Sequence, residues 1–294
     1  MVSSNVNWEN PYADRDGGWL KGNLHTHTSP ASGCGQISVG ECVERYVERG
    51  YDFLAISDHC VHTRHSDKRI TLIDGVEWND AEGHHTGVYS LNAGDVESAI
   101  SVSEHDVLLN NLAATEALVV LNHPNWQLTP HYRREELLAK EHYDGIEIYN
   151  GVIERLAGYA IATDKWDYLL ARGRRVLGFA TDDSHCDTDI GSAAIYVRCR
   201  SRSRKAIMSA IKAGNFYASS GAVIDDIRFE DGIIEIETPD AQQIEARSDG
   251  GMRIACVKDR VMRFDMRETS RRYVRFTVYG EGSAMAWTQP FFEP

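Results

Sequence analysis

No stretch of the 294-residue chain comes near the roughly 20 consecutive apolar residues that span a bilayer, which excludes a helical membrane anchor. The opening MVSSNVNWENPYADRDGG lacks a basic start followed by an apolar run, so no secretory signal is visible and the chain reads as cytoplasmic. Positive charge is in deficit: 31 Lys and Arg stand against 44 Asp and Glu, a net charge of −13. Gripping a nucleic-acid backbone needs clustered basic side chains. The two short basic runs, Arg172/Arg174/Arg175 and Arg200/Arg202/Arg204/Lys205, read instead as helix-end caps or solvated faces, which disfavours a nucleic-acid partner. The six cysteines (Cys34, Cys42, Cys60, Cys186, Cys199, Cys256) form no CxxC pair and no framework spacing. That argues for reduced thiols over a disulfide scaffold. Cys60 and Cys186 directly follow motif histidines and are expected to pack near the site without reacting. A nucleophile elbow of the GxSxG kind is also missing, so covalent serine catalysis has no support.

What is present is an alternation of short apolar runs and amphipathic stretches from about Trp19 to Gly221, the pattern of repeated βα units. Leu20–His27 reads as a strand. Ser38 with Glu41 forms a capping box, and Val39, Cys42, Val43, Tyr46 and Val47 recur at helical spacing until Gly50. Asp52–Ser57, Leu118–Asn122, Gly145–Tyr149, Val176–Thr181 and Ser192–Val197 read as further strands. Helices are expected from Ser103 to Leu112, Asp164 to Arg172 and Ser201 to Ala213. After Gly221 the period changes to two, as in Ile227-Arg-Phe-Glu, Ile234-Glu-Ile-Glu and Val274-Arg-Phe-Thr-Val, the mark of half-exposed antiparallel strands. The division is residues 1–221, an α/β part, and residues 222–294, a small all-β, sandwich-like appendage.

The chemistry collects where strands end. His25-Thr-His27, Asp58-His59, Asn122-His123-Pro124, Glu147–Asn150 and Asp182-Asp183-Ser184-His185 each close an apolar run, and Glu77 and the pair His84-His85 follow nearby. His25 and His27 are two apart on a strand, so both rings share one face, as chelation requires. The ends of parallel strands are where α/β folds place function. Burying so many ionisable groups without a cation is costly. A set of imidazoles and carboxylates without thiolate suits zinc, manganese or iron.

The strings GNLHTHTSPASG, YDFLAISDH, GVEW, GHHTGVY, LNHPNW, DGIEIYNG and GFATDDSH together resemble, in order and spacing, the PHP (polymerase and histidinol phosphatase) family, from about Leu20 to Gly221, and most of all its stand-alone metal-dependent phosphoesterases. The terminal AWTQPFF resembles the β appendage of some stand-alone members. The resemblance implies an α/β fold, a distorted (β/α)7 barrel with the small C-terminal all-β domain, and two or three divalent ions. By motif, His25, His27 and Asp183 hold the first ion. Glu77 bridges to a second held by His85, preferred over His84, and His123. His59 and His185 serve a third. Ser32 stands where the family carries an acidic or histidine ligand, so two ions are expected to bind firmly and a third weakly or not at all.

The implied activity is hydrolysis of a small phosphate ester by water activated on the ions. A carbamate, ester or amide hydrolase on the same centre is the alternative, and a non-catalytic metal-binding module is the alternative of another class. Candidate catalytic groups are His59 and His185, which can protonate a leaving group if the third ion is absent, and Asp58, which is expected to orient a ligand ring. Arg64, Trp126 and Asn150 are candidate substrate contacts, Arg64 as a phosphate clamp. His62 and His65 lie near the mouth or on the surface, and His105, His131 and His142 are expected on the surface. Trp166 and Trp287 are expected in the core. The pattern leaves the oligomeric state open.

Overall fold

The capping box at Ser38 forms in the computed structural model, which describes residues 8–127 and 131–293. The Ser38 hydroxyl accepts from the Glu41 backbone N–H, and the Glu41 carboxylate accepts from that of Ser38, 3.1 Å away. This cap starts helix α1 (Val39–Glu48), which links strands β1 (Gly18–Asn23) and β2 (Phe53–Ile56). All four residues of β2 are buried, as a strand covered on both faces demands. It runs parallel to β1 on one side and to β3 (Thr71–Asn79) on the other. The chain then turns back. β4 (His85–Ser90) is antiparallel to β3, and β5 (Leu118–Leu121), reached through helices α2 (Ala93–Ile100) and α3 (His105–Leu112), is antiparallel to β4. Helix α4 (Arg134–Ala139) leads to β6 (Gly145–Asn150), and α5 (Thr163–Leu170) leads to β7 (Leu177–Thr181). β5, β6 and β7 are parallel.

Strands β1 to β7 lie side by side in chain order. The sheet is not the uniform parallel array that βα repetition suggested, because both pairings of β4 are antiparallel. Among the described residues, no ladder joins β7 to β1. A single parallel bridge, Thr26 to Ser184, ties their extensions together, with the His27 N–H donating to the Ser184 carbonyl over 2.8 Å. Beyond β1 the sheet continues antiparallel through β8 (Ala194–Cys199) and, after helix α6 (Arg204–Lys212), β9 (Phe216–Ser219).

The C-terminal strands are β10 (Asp226–Glu230), β11 (Ile233–Glu237), β12 (Gln243–Ser248), β13 (Met252–Val257), β14 (Val261–Asp265), β15 (Tyr273–Tyr279), β16 (Met285–Thr288) and β17 (Phe291–Phe292). β10, β11 and β14 form a separate three-stranded sheet. Ile234 and Ile236 point inward and are fully buried. They meet Ile244, Val274, Phe276 and Val278 of the other layer, joined by Trp8 and Tyr12 from the start of the chain. That other layer is no independent sheet: β16 pairs with β9, so one sheet runs from the α/β part into the appendage.

Two polar devices lock the parts together. The side chain of Gln289 donates to the Gly178 carbonyl (2.8 Å) and accepts from its N–H (2.9 Å), which satisfies backbone groups on the otherwise open edge of β7. Arg275 is buried and grips Asp167 of α5 through bonds of 2.7 and 2.5 Å, with Tyr273 donating to the same carboxylate (2.9 Å). Trp166, buried as expected, lies under the guanidinium at 5.1 Å. Trp287 is also buried. Removing one partner of a buried pair leaves a charge without compensation, at a cost of about 3–5 kcal/mol. Arg275→Ala is therefore expected to lower unfolding stability by about that amount in denaturant titration, and a loss below about 1 kcal/mol would show that the pair is not structural.

Candidate metal centre

Each of β1 to β7, or the residues just after it, delivers a polar side chain to one end of the sheet. His25 and His27 extend β1, His59 follows β2, Glu77 lies on β3 and His85 on β4. His123 follows β5, Glu147 lies on β6, and Asp183 and His185 follow β7. Glu77 is at the centre, buried. Its Oε1 is 3.2 Å from His25 Nε2, 3.1 Å from His85 Nδ1 and 3.2 Å from His123 Nε2. Its Oε2 is 3.2 Å from His27 Nε2 and 3.1 Å from His59 Nδ1. Asp183 Oδ1 lies 3.2 Å from His25 Nε2 and 3.1 Å from His27 Nε2. Donor atoms of His25, His27 and Glu77 fall within 4.8 Å of one another, as do those of His59, Glu77 and His85, and of His25, His123 and Asp183.

The donor set fits a divalent cation on its own geometry. His25 Nδ1 is 2.7 Å from Glu147 Oε1, which places the proton on Nδ1 and turns the Nε2 lone pair inward. There it meets His27 Nε2 at 3.1 Å, two ring nitrogens face to face between two carboxylates. Glu147 is fully engaged: it also accepts from Thr181 Oγ1 (2.6 Å), Asn150 Nδ2 (2.8 Å) and the His123 N–H (2.7 Å). Two of the convergent residues, His123 and Asp183, sit at positive φ of 30° and 51°, a costly conformation for residues other than glycine.

His84, the neighbour passed over for His85, points the other way, to Asp80 and Glu136 at 2.7 Å each. Asn150 is buried against Glu147 and Asp183. Asp58 does not orient a ring. Its carboxylate accepts from the backbone N–H (2.6 Å) and hydroxyl (2.7 Å) of Thr28 and from the Thr63 hydroxyl, so it clamps loops beneath the site. Arg64 is displaced too. Its side chain is 63% exposed and paired to Glu97, away from the cavity. His62 turns to Asp74 (3.3 Å) and His65 is exposed. His105 is not on the surface: it is buried, stacked on Trp78 at 5.3 Å. His131 packs beside His123 and Trp126 at ring distances of 4.9 and 4.8 Å, while His142 is exposed.

A cavity of about 360 Å³ opens over this cluster. Its lining includes His27, His59, Glu77, His85, His123, Asp183 and His185, the expected Trp126, and an apolar wall of Val152, Ile153 and Leu156. Neither Cys60 nor Cys186 lines it; Cys34 and Arg155 do. Arg155 ends a short 3-10 turn, Gly151–Arg155, directly after β6, and nothing in its local pattern marked it.

Burial opposes a proton on His27, but hydrogen bonds to Asp183 and Glu77 outweigh it and raise the group to about 9. Burial likewise opposes a proton on His25, yet Asp183, Glu77 and Glu147 lift it well above its ordinary value. A cation entering this nest must therefore displace protons that the metal-free site retains up to about pH 9. Zinc affinity is expected to rise with pH between 6.5 and about 9. Calorimetry in buffers of different ionisation enthalpy is expected to register proton release on binding, whereas pH-independent binding without release would contradict the geometry.

No family model and no curated protein matches the chain. Solved structures do. A two-domain protein containing a predicted PHP-like metal-dependent phosphoesterase, from Bacteroides vulgatus ATCC 8482, aligns with a TM-score of 0.54 at 15% identity, over 94% of this chain and 87% of that one. A lesion-specific endonuclease from Pyrococcus furiosus aligns with a TM-score of 0.52 at 12% identity, over 66% of this chain and 56% of that one. Similarity at such identities is similarity of fold, and with the first protein it extends through the strand-rich C-terminal region. The chain shares the fold of these two proteins.

Proposed function

We propose that this protein is a metal-dependent phosphoesterase acting on a small phosphate ester. The observation that carries the reading is Arg155, the one Arg or Lys among the described residues lining the cavity. Asp189 holds its guanidinium through bonds of 2.8 and 2.9 Å. Those bonds use two of five donors and leave three for an anion, and a planar fork suits phosphate oxygens. Asp189 also accepts from the His185 N–H at 2.9 Å, so one carboxylate ties the clamp to the nest of imidazoles.

In this reading His25, His27 and Asp183 would hold one cation, and Glu77, His85 and His123 would hold a second. When bound, the ions supply Lewis-acid activation of water and neutralise charge at the phosphoryl group. His185 donates from Nδ1 to the Asp183 carbonyl (2.7 Å), and burial lowers its pKa. At neutral pH its Nε2 is then an unprotonated acceptor able to take a proton from the attacking water and hand that proton on to the leaving oxygen. Trp126, Val152, Ile153 and Leu156 exclude bulk water and accept a compact leaving group.

A small ester, and not a nucleic-acid backbone, also suits the rest of the surface. Arg174 bonds the Leu138 and Lys140 carbonyls. Arg175 pairs with Glu9, Arg200 with Asp16, Arg202 with Asp52 and Arg204 with Asp74. A metal-replete screen of phosphate esters, carboxylic esters, carbamates and oligonucleotides tests the reading, with small phosphate esters expected as the turned-over class. Arg155→Ala is expected to lower kcat/KM about 10- to 100-fold, the worth of a charge-assisted hydrogen bond, and Glu77→Gln to abolish turnover. Preferential turnover of carbamates or carboxylic esters, untouched by Arg155→Ala, would overturn it.

A further inference from the structure

The loop between β1 and α1 folds back over the site. Ser32 N–H donates to the Thr28 carbonyl (2.8 Å), Gly35 N–H to the Ser32 carbonyl (3.1 Å), and Gln36 N–H to the His185 carbonyl (2.8 Å). The close return requires glycine at position 35, where a Cβ would lie 2.6 Å from the Thr28 carbonyl carbon. Ser32, which stands where a ligand was expected, is committed elsewhere. Its hydroxyl accepts from the His59 backbone N–H (2.9 Å) and lies 3.2 Å from His27 Nδ1, so it braces the loop against the two histidine segments.

Two residues on, the same turn brings Cys34 to the cavity wall. The Cys34 sulfur and ring nitrogens of His27 and His59 lie within 4.8 Å of one another. His59 and His27 stack with ring centroids 4.4 Å apart, and His185 flanks His27 at 4.6 Å. The thiol is unlike the others near the site. Cys60 Sγ is directed to the carbonyl oxygens of Asn79, and Cys186 Sγ to the Thr188 hydroxyl, and neither lines the cavity.

We propose that Cys34 supplies a thiolate ligand to an additional divalent cation, held with His59 and His185 at the mouth of the cavity, so that a cysteine replaces the oxygen or nitrogen ligand that Ser32 does not provide. The inference rests on the reading that the cavity binds divalent ions. On binding, the S–H bond is replaced by an S–metal bond and the proton passes to solvent, with no change of oxidation state. A sulfur ligand shifts this position toward zinc, cobalt or iron(II) and away from magnesium. It also revises the expectation of two donors at the third position to three.

Cobalt(II) titration of the metal-free full-length protein, followed by absorption and by metal content after gel filtration, tests the proposal. The wild type is expected to develop a near-ultraviolet thiolate-to-cobalt charge-transfer band. Cys34→Ser is expected to lose the band and one cobalt equivalent while keeping the others. Cys34→Asp is expected to recover the equivalent without the band. Visible cobalt absorption with no charge-transfer band in the wild type, or a band that survives in Cys34→Ser, overturns the Cys34 assignment and leaves the remaining centre standing. Failure to bind any cobalt overturns both.

Discussion

Glu77 and Asp183 are buried carboxylates surrounded by imidazoles at 3.1–3.2 Å, and the rest of the architecture is arranged around satisfying them. Isolated charges in a low-dielectric interior cost several kcal/mol each unless they are paired. Here the pairing requires seven strands to end at one place, because no single segment can supply five imidazoles to one carboxylate. Local conformational cost follows from that demand. His123 and Asp183 adopt left-handed backbone, and Glu147 spends both oxygens on fixing His25, the His123 backbone, Thr181 and Asn150.

The C-terminal part bears on the centre through β7. That strand ends the series and carries Asp183 and His185 just beyond it, yet among the described residues it has no neighbouring strand on its outer edge. Gln289 pairs with the backbone of Gly178 in place of one, and Arg275 anchors α5, the helix that leads into β7, through Asp167. The appendage thus holds in place the strand whose extension bears two of the convergent groups, which gives it a mechanical role irrespective of any contact with substrate.

Much of this was legible in the sequence because the signals are local. An HxH pair must put both rings on one face, and the capping box at Ser38 and the inward alternation of Ile234 and Ile236 depend only on near neighbours. The groups Asp58 and Arg64 misled for a common reason: each follows a strand end, but direction is set by partners remote in sequence or by solvent. Asp58 turns to Thr28, and Arg64 to Glu97. Arg155 was invisible because its orientation depends on Asp189, 34 residues away. His84 and His85 could not be separated by spacing alone; the alternation of β4 sends the second toward Glu77 and leaves the first to Asp80 and Glu136. The continuity of the sheet from β9 into β16 was hidden for the same reason, since pairing across so many residues leaves no periodic trace.

The most direct measurement of the central claim is anomalous diffraction from crystals of protein purified without chelator and supplied with zinc or manganese. The account predicts peaks within about 2.0–2.2 Å of His25 Nε2 and of Glu77 and Asp183 carboxylate oxygens, with Glu77 shared between two of them. Anomalous density absent from this nest, or confined to surface carboxylates while the imidazoles keep their mutual contacts, would contradict it.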